Sequence, residues 1–152
     1  VFFTLLFLVL LFLISWVDVR RLRIPDELSF SLLGLALVRV IWEGDVLRFL
    51  SGAAFAFVFF FLLHFFFPQG IGFGDVKLAL GVGLFLGWPL APLAVLLSFL
   101  FGALVGVALI LLRKKGLKDA LPFAPFLSCA AVVALFFGDS ILNWYLYGAL
   151  GT

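Results

Sequence analysis

The sequence predicts an all-α fold: a polytopic membrane helix bundle of about six transmembrane helices. Two observations carry that prediction. The 152 residues are 66% hydrophobic and only 12% charged, against roughly 45–50% and about 25% in soluble domains. The apolar residues also fall into runs of near-spanning length, broken at prolines, glycines and charges. No repeat is evident and no stretch is left for a separate soluble domain, so residues 1–152 read as one membrane-embedded domain. The net charge of +2 is too small to point to nucleic acid.

The first run, 2–17, could be mistaken for a signal peptide. No basic region precedes it and no small-residue cleavage site follows it. Its basic cluster comes afterwards, which fits a retained helix. The second span is expected over about 28–42, the third over 46–67, and a short fourth over 76–88. The fifth covers 91–112 and the sixth begins near Phe123 and runs to about Phe137. Pro25, Pro68, Pro89, Pro92 and Pro122 punctuate most of the breaks. The tail over 139–150 carries Trp144, Tyr145 and Tyr147, which suit an interfacial or continuing helix.

Basic residues orient the bundle. Arg20, Arg21 and Arg23 follow span one, Lys77 follows span three, and Arg113, Lys114, Lys115 and Lys118 follow span five. If every span crosses, these eight share one side and only Arg39 and Arg48 face the other. The richer side is expected to be cytoplasmic, with both chain ends opposite.

That placement matters for the acids. Glu43, Asp45, Asp119 and Asp139 lie beside turn residues and read as solvated loop charges. Asp26, after Pro25, suits an N-terminal cap for span two. Asp18 ends span one and Asp75 starts span four, so both belong at the cytoplasmic ends of their helices. An arginine partner would account for Asp18, and a capping role in a glycine-rich turn would account for Asp75. Gly70, Gly72 and Gly74 precede Asp75, letting the backbone bend and another segment approach. A carboxylate at the bilayer centre costs about 2.5–3.5 kcal/mol, which makes an acid in a break between apolar runs a candidate functional group.

Two carboxylates within a few ångströms cannot both ionise cheaply, so they share one proton. Such a pair supplies a general base for water and a general acid for a leaving amine. It needs no metal and no cofactor. His64 is the sole histidine and reads as interfacial or packed. Cys129 is the sole cysteine and reads as a small buried hydrophobe.

Three ordered segments carry a resemblance. They are Asp18-Val19-Arg20-Arg21-Leu22-Arg23-Ile24-Pro25-Asp26, then Gly72-Phe73-Gly74-Asp75-Val76-Lys77-Leu78 with Gly83 and Gly87 following, and then Leu121-Pro122-Phe123-Ala124-Pro125-Phe126-Leu127. Together they resemble the type IV prepilin peptidases, membrane aspartic proteases of the Gly-x-Gly-Asp type. The resemblance implies that Asp18 and Asp75 are the catalytic pair, with Gly72, Gly74, Lys77 and Asp26 supporting the substrate and the loop. It implies a prepilin-like or pseudopilin precursor as partner, with a short basic leader, a glycine before the cut and a hydrophobic helix after it. It implies residence in a bacterial or archaeal plasma membrane, with the active site toward the cytoplasm. Ala124 stands where the family often has glycine. Many members also carry paired Cys-x-x-Cys motifs associated with methylating the new N-terminus, and nothing here matches them, so methyl transfer is not expected of this chain.

Lys77 stands two positions from Asp75, a spacing that does not face on a helix. It is expected to orient span four, sit at the interface or contact the substrate backbone. Arg20, Arg21 and Arg23 would repel a basic leader and read as orientation signals. Gly81, Gly83 and Gly87 thin one face of span four for close helix approach. Two other classes fit the same acids: a small ion-coupled transporter or channel, and a non-catalytic subunit of a secretion system. The lack of an inverted repeat, and acids at one membrane face instead of the midplane, count against transport.

Overall fold

A computed structural model describes residues 1–116 and 119–151. Lys118, one of the orienting cations, lies outside the described residues. Six helices follow one another: α1 (Phe2–Arg21), α2 (Asp26–Glu43), α3 (Val46–Phe66), α4 (Phe73–Leu86), α5 (Leu90–Leu111) and α6 (Ala124–Asn143). A π-helical turn, Trp144–Ala149, carries α6 onward, so the aromatic tail continues the helix.

Among the described residues, four helices are long and apolar enough to cross a membrane: α1, α3, α5 and the continuous helix Ala124–Gly148. The 18 residues of α2 include Asp26, Glu27, Arg39 and Glu43, which keep it below that standard. The 14 residues of α4 reach only about 21 Å at 1.5 Å per residue, short of a ~30 Å hydrocarbon core. The other helices compensate. α4 packs against α2, α3, α5 and α6, and Val76, Leu78, Ala79 and the run Gly81–Leu86 are buried. The short helix is thus shielded by protein on most sides, while α1 and α5 turn large apolar faces outward.

Small residues make that packing possible. A Cβ on Gly52 of α3 would lie 2.6 Å from the backbone of Gly87, and one on Gly83 would lie 2.7 Å from the Ala56 side chain. A Cβ on Gly81 would meet Leu32 of α2 at 2.9 Å. Gly83 and Gly87 thin the side of α4 toward α3, whereas Gly81 faces α2, so the three glycines do not share one face as expected. Stacked Phe7 and Phe85, with ring centroids 3.8 Å apart, join α1 to α4. At the other end of α2, Arg39 donates from Nη1 to the Phe85 carbonyl at 2.9 Å and pairs with Glu43 at 2.7 Å. A cation there complements the C-terminal dipole of α4.

Two acids differ from the loop expectation, while Asp45 and Asp119 keep to it. Glu43 closes α2, and Asp139 lies within α6 on an exposed face. Asp45 accepts from the Arg48 N–H at 3.3 Å as the cap of α3. Asp119 does hold a loop, accepting from the Gly116 N–H at 2.7 Å. Cys129 is exposed on α6, not buried.

Candidate active site

Asp18 lies in the last turn of α1, because that helix runs past residue 17 to Arg21. The arginines after it stay exposed, with Arg20 lying over the Trp16 ring at 4.3 Å. The chain then turns at Leu22, whose left-handed φ of 51° and N–H bond to the Asp18 carbonyl end the helix. Asp18 is 5% exposed, a costly position for a carboxylate without a donor.

Its donor comes from the far end of the chain. The Ala124 N–H gives a hydrogen bond to Oδ2 of Asp18 at 3.1 Å. Ala124 is the first residue of α6, where backbone N–H groups have no partner within the helix. Asp18 therefore caps α6 from another helix and sits at the positive end of its dipole. The arginine pairing considered for Asp18 is replaced by this bond.

Asp75 lies in the first turn of α4, whose N-cap is Gly72. Its backbone N–H donates to the Gly72 carbonyl at 3.1 Å, and the Gly72 backbone N–H in turn favours its carboxylate. The carboxylate is half-buried and lines a cavity of about 500 Å3 together with Asp18. The two acids are close enough for the charge on one to act on the other. Each carboxylate has a backbone N–H beside it, Ala124 for Asp18 and Gly72 for Asp75, and both border the cavity.

The glycines act differently from expectation. Gly72 takes an extended backbone with φ −71°, and neither it nor Gly74 adopts the positive φ that would demand glycine. Space is what Gly74 provides: a Cβ there would lie 3.3 Å from Cβ of Ile24. The Ile24-Pro25 segment thus lies directly on the glycine loop, and both line the cavity.

Asp26 does not cap α2. Pro25 occupies the N-cap position with no side-chain bond, and Asp26 is the first helical residue. Its Oδ1 instead accepts from Nζ of Lys77 at 2.7 Å. Lys77 thus reaches across to α2, and both partners line the cavity. Among the described residues, no three His, Cys, Asp or Glu side chains gather as a metal site would require.

His64 belongs to this region as well. Its Nδ1–H donates to the Ile71 carbonyl at 2.7 Å, and its ring lies against Phe73 at 5.7 Å. It ties the end of α3 to the loop before Asp75. The only hint in the sequence was a lone histidine six residues before Gly70.

Each of the three sequence segments now meets another: Asp18 with Ala124, Ile24 with Gly74, Asp26 with Lys77. A family model described as the type IV leader peptidase family matches residues 5–107, a stretch that holds both Asp18 and Asp75. The chain is 36% identical over 148 residues to the prepilin leader peptidase/N-methyltransferase of Aeromonas hydrophila, covering 88% of this chain and 48% of that protein. It is 32% identical over 151 residues to the protein of that name from Legionella pneumophila, covering 95% and 53%. The Bacillus subtilis (strain 168) protein is 34% identical over 151 residues, covering 95% and 59%. The chain spans about half the length of these curated relatives. No solved structure matches it. On the family match over residues 5–107, the chain belongs to the type IV leader peptidase family.

Proposed function

We propose that residues 1–152 form the catalytic domain of a membrane aspartic endopeptidase that removes the leader from type IV prepilin-like precursors. The observation that carries this reading is the shared cavity: Asp18, bonded by the Ala124 N–H, and Asp75, in the first turn of α4, line one space at one end of the bundle. No side chain there need become covalently attached to substrate. One carboxylate takes a proton from water as the water oxygen attacks the scissile carbonyl carbon. The other, protonated, donates a hydrogen bond to the carbonyl oxygen. A proton then passes to the departing amine as the C–N bond breaks, leaving a new carboxyl end and a new amino end.

The excess of basic residues beside this end supports a cytoplasmic location for it at a plasma membrane. Peptide cleavage, and not methyl transfer, is the activity these residues support. Gly72, whose missing Cβ would meet only the Asp75 carboxylate, leaves room for an extended substrate segment beside Asp75, Gly74 lets Ile24 pack on the loop, and Lys77 and Asp26 tie α4 to α2. The test is substitution: Asp18→Asn and Asp75→Asn each abolish cleavage of a precursor while the protein still inserts. Near-normal cleavage by either variant overturns the assignment.

A further inference from the structure

A histidine of α3 holds the loop that leads into Asp75. His64, in the last turn of that helix, donates from Nδ1 to the Ile71 carbonyl at 2.7 Å. A carbonyl oxygen only accepts, so the proton of the neutral ring sits on Nδ1, and the imidazolium donates there too. The same ring lies against Phe73, with centroids 5.7 Å apart. His64 therefore grips the residues on both sides of Gly72, the N-cap of α4.

The other end of the bonded amide faces the chemistry. The Ile71 carbonyl and the Gly72 N–H belong to one peptide group, which is planar and trans, so the two point in opposite directions. With the oxygen fixed on His64, the N–H faces the other way. On that side lies the Asp75 carboxylate, which the Gly72 N–H approaches as a hydrogen-bond donor. Gly72 is close enough to it that an added Cβ would lie 3.9 Å from Oδ2. Imidazole, amide and carboxylate thus form one chain of hydrogen bonds, in which each donor polarises the next. His64 is not among the residues that line the carboxylate cavity, so this chain is its route to the reaction.

We propose that His64 is a positioning residue for Asp75: by holding the Ile71 carbonyl, it turns the Gly72 N–H onto the Asp75 carboxylate. The kinetic consequence rests on the peptidase reading above.

Two substitutions separate the bond from the packing. His64→Asn keeps an N–H donor near the place of Nδ1 and loses the ring. His64→Phe keeps a ring against Phe73 and loses the donor. The full chain in lipid vesicles is given a synthetic precursor peptide with a basic leader, a glycine and an apolar segment. His64→Phe is expected to lower kcat about tenfold with KM little changed, and His64→Asn to lose far less. Equal rates in the two variants, or the reverse order, overturn the proposal. A second measurement needs no activity. Ile71-Gly72 is the only Ile-Gly step in the sequence, so labelling isoleucine at its carbonyl carbon and glycine at nitrogen singles out that amide by NMR in detergent. Its proton resonance is expected to move upfield in His64→Phe, the direction set by Asp75→Ala, and to stay in place in His64→Asn. An unmoved resonance in His64→Phe overturns the proposal. If the unaltered protein fails to cleave the peptide, the peptidase reading falls, while the amide resonance still decides whether His64 sets the Gly72 N–H.

Discussion

The backbone N–H of Ala124 donates to the Asp18 carboxylate at 3.1 Å, joining the first helix to the start of the last. Asp18 therefore has a structural task besides its proposed chemical one, and substitutions can separate the two. Asn keeps a side-chain oxygen to accept the Ala124 bond, whereas Ala leaves that N–H buried and unpaired. Asp18→Ala is expected to destabilise the protein by about 1–3 kcal/mol, and Asp18→Asn by much less. Both lose cleavage. Thermal or denaturant unfolding in detergent, beside an activity assay, checks the split.

The ion pair between Lys77 and Asp26 sets α4 against α2 at the rim of the cavity. Asp26 is largely exposed, with 65% of its side chain accessible, so the pair is expected to add at most about 1 kcal/mol to stability. Its weight falls on geometry. Lys77→Asp and Asp26→Lys are each expected to lower kcat/KM about tenfold or more, and the double exchange to restore most of it. A double-mutant cycle on cleavage rates measures the coupling.

Two glycines on neighbouring helices predict opposite effects. A Cβ on Gly52 would lie 2.6 Å from the Gly87 backbone, while one on Gly34 of α2 would meet nothing within 4 Å. Gly52→Ala is expected to force α3 from α4 and cost about 1–3 kcal/mol. Gly34→Ala is expected to stabilise by roughly 0.5–1 kcal/mol through helix propensity. Unfolding midpoints of the two variants decide it.

The proposed chemistry needs one ionised and one protonated carboxyl at the same time. Cleavage should therefore fall on the acid side as the base is protonated, and on the alkaline side as the shared proton is lost. A bell-shaped profile of kcat/KM against pH is the expected result. A flat profile across both limbs speaks against a shared proton.

Much of the fold was legible because prolines, glycines and charges mark where apolar runs stop. The helix ends were less so. α1 extends through Asp18 to Arg21 because long arginine side chains can hold their charge out in water while the backbone stays helical. α4 begins at Phe73, ahead of the expected residue 76, because glycine and a carboxylate sit easily in a first turn whose N–H groups lack helical partners. The candidate site was legible as residues but not as contacts. Capping of α6 by Asp18 spans 106 positions, and no local pattern encodes it. Asp26 looked like a cap because it follows proline, yet its partner, Lys77, arrives 51 positions later. The facing of Cys129 could not be read either, since α6 is apolar on nearly every side.

The most direct test of the paired carboxylates is cleavage of a synthetic prepilin leader peptide in lipid vesicles, with the cut position fixed by mass. One cut is expected, after the glycine that precedes the apolar segment, lost in both Asp18→Asn and Asp75→Asn although each variant inserts and folds. Cleavage at a near-normal rate by either variant would contradict it.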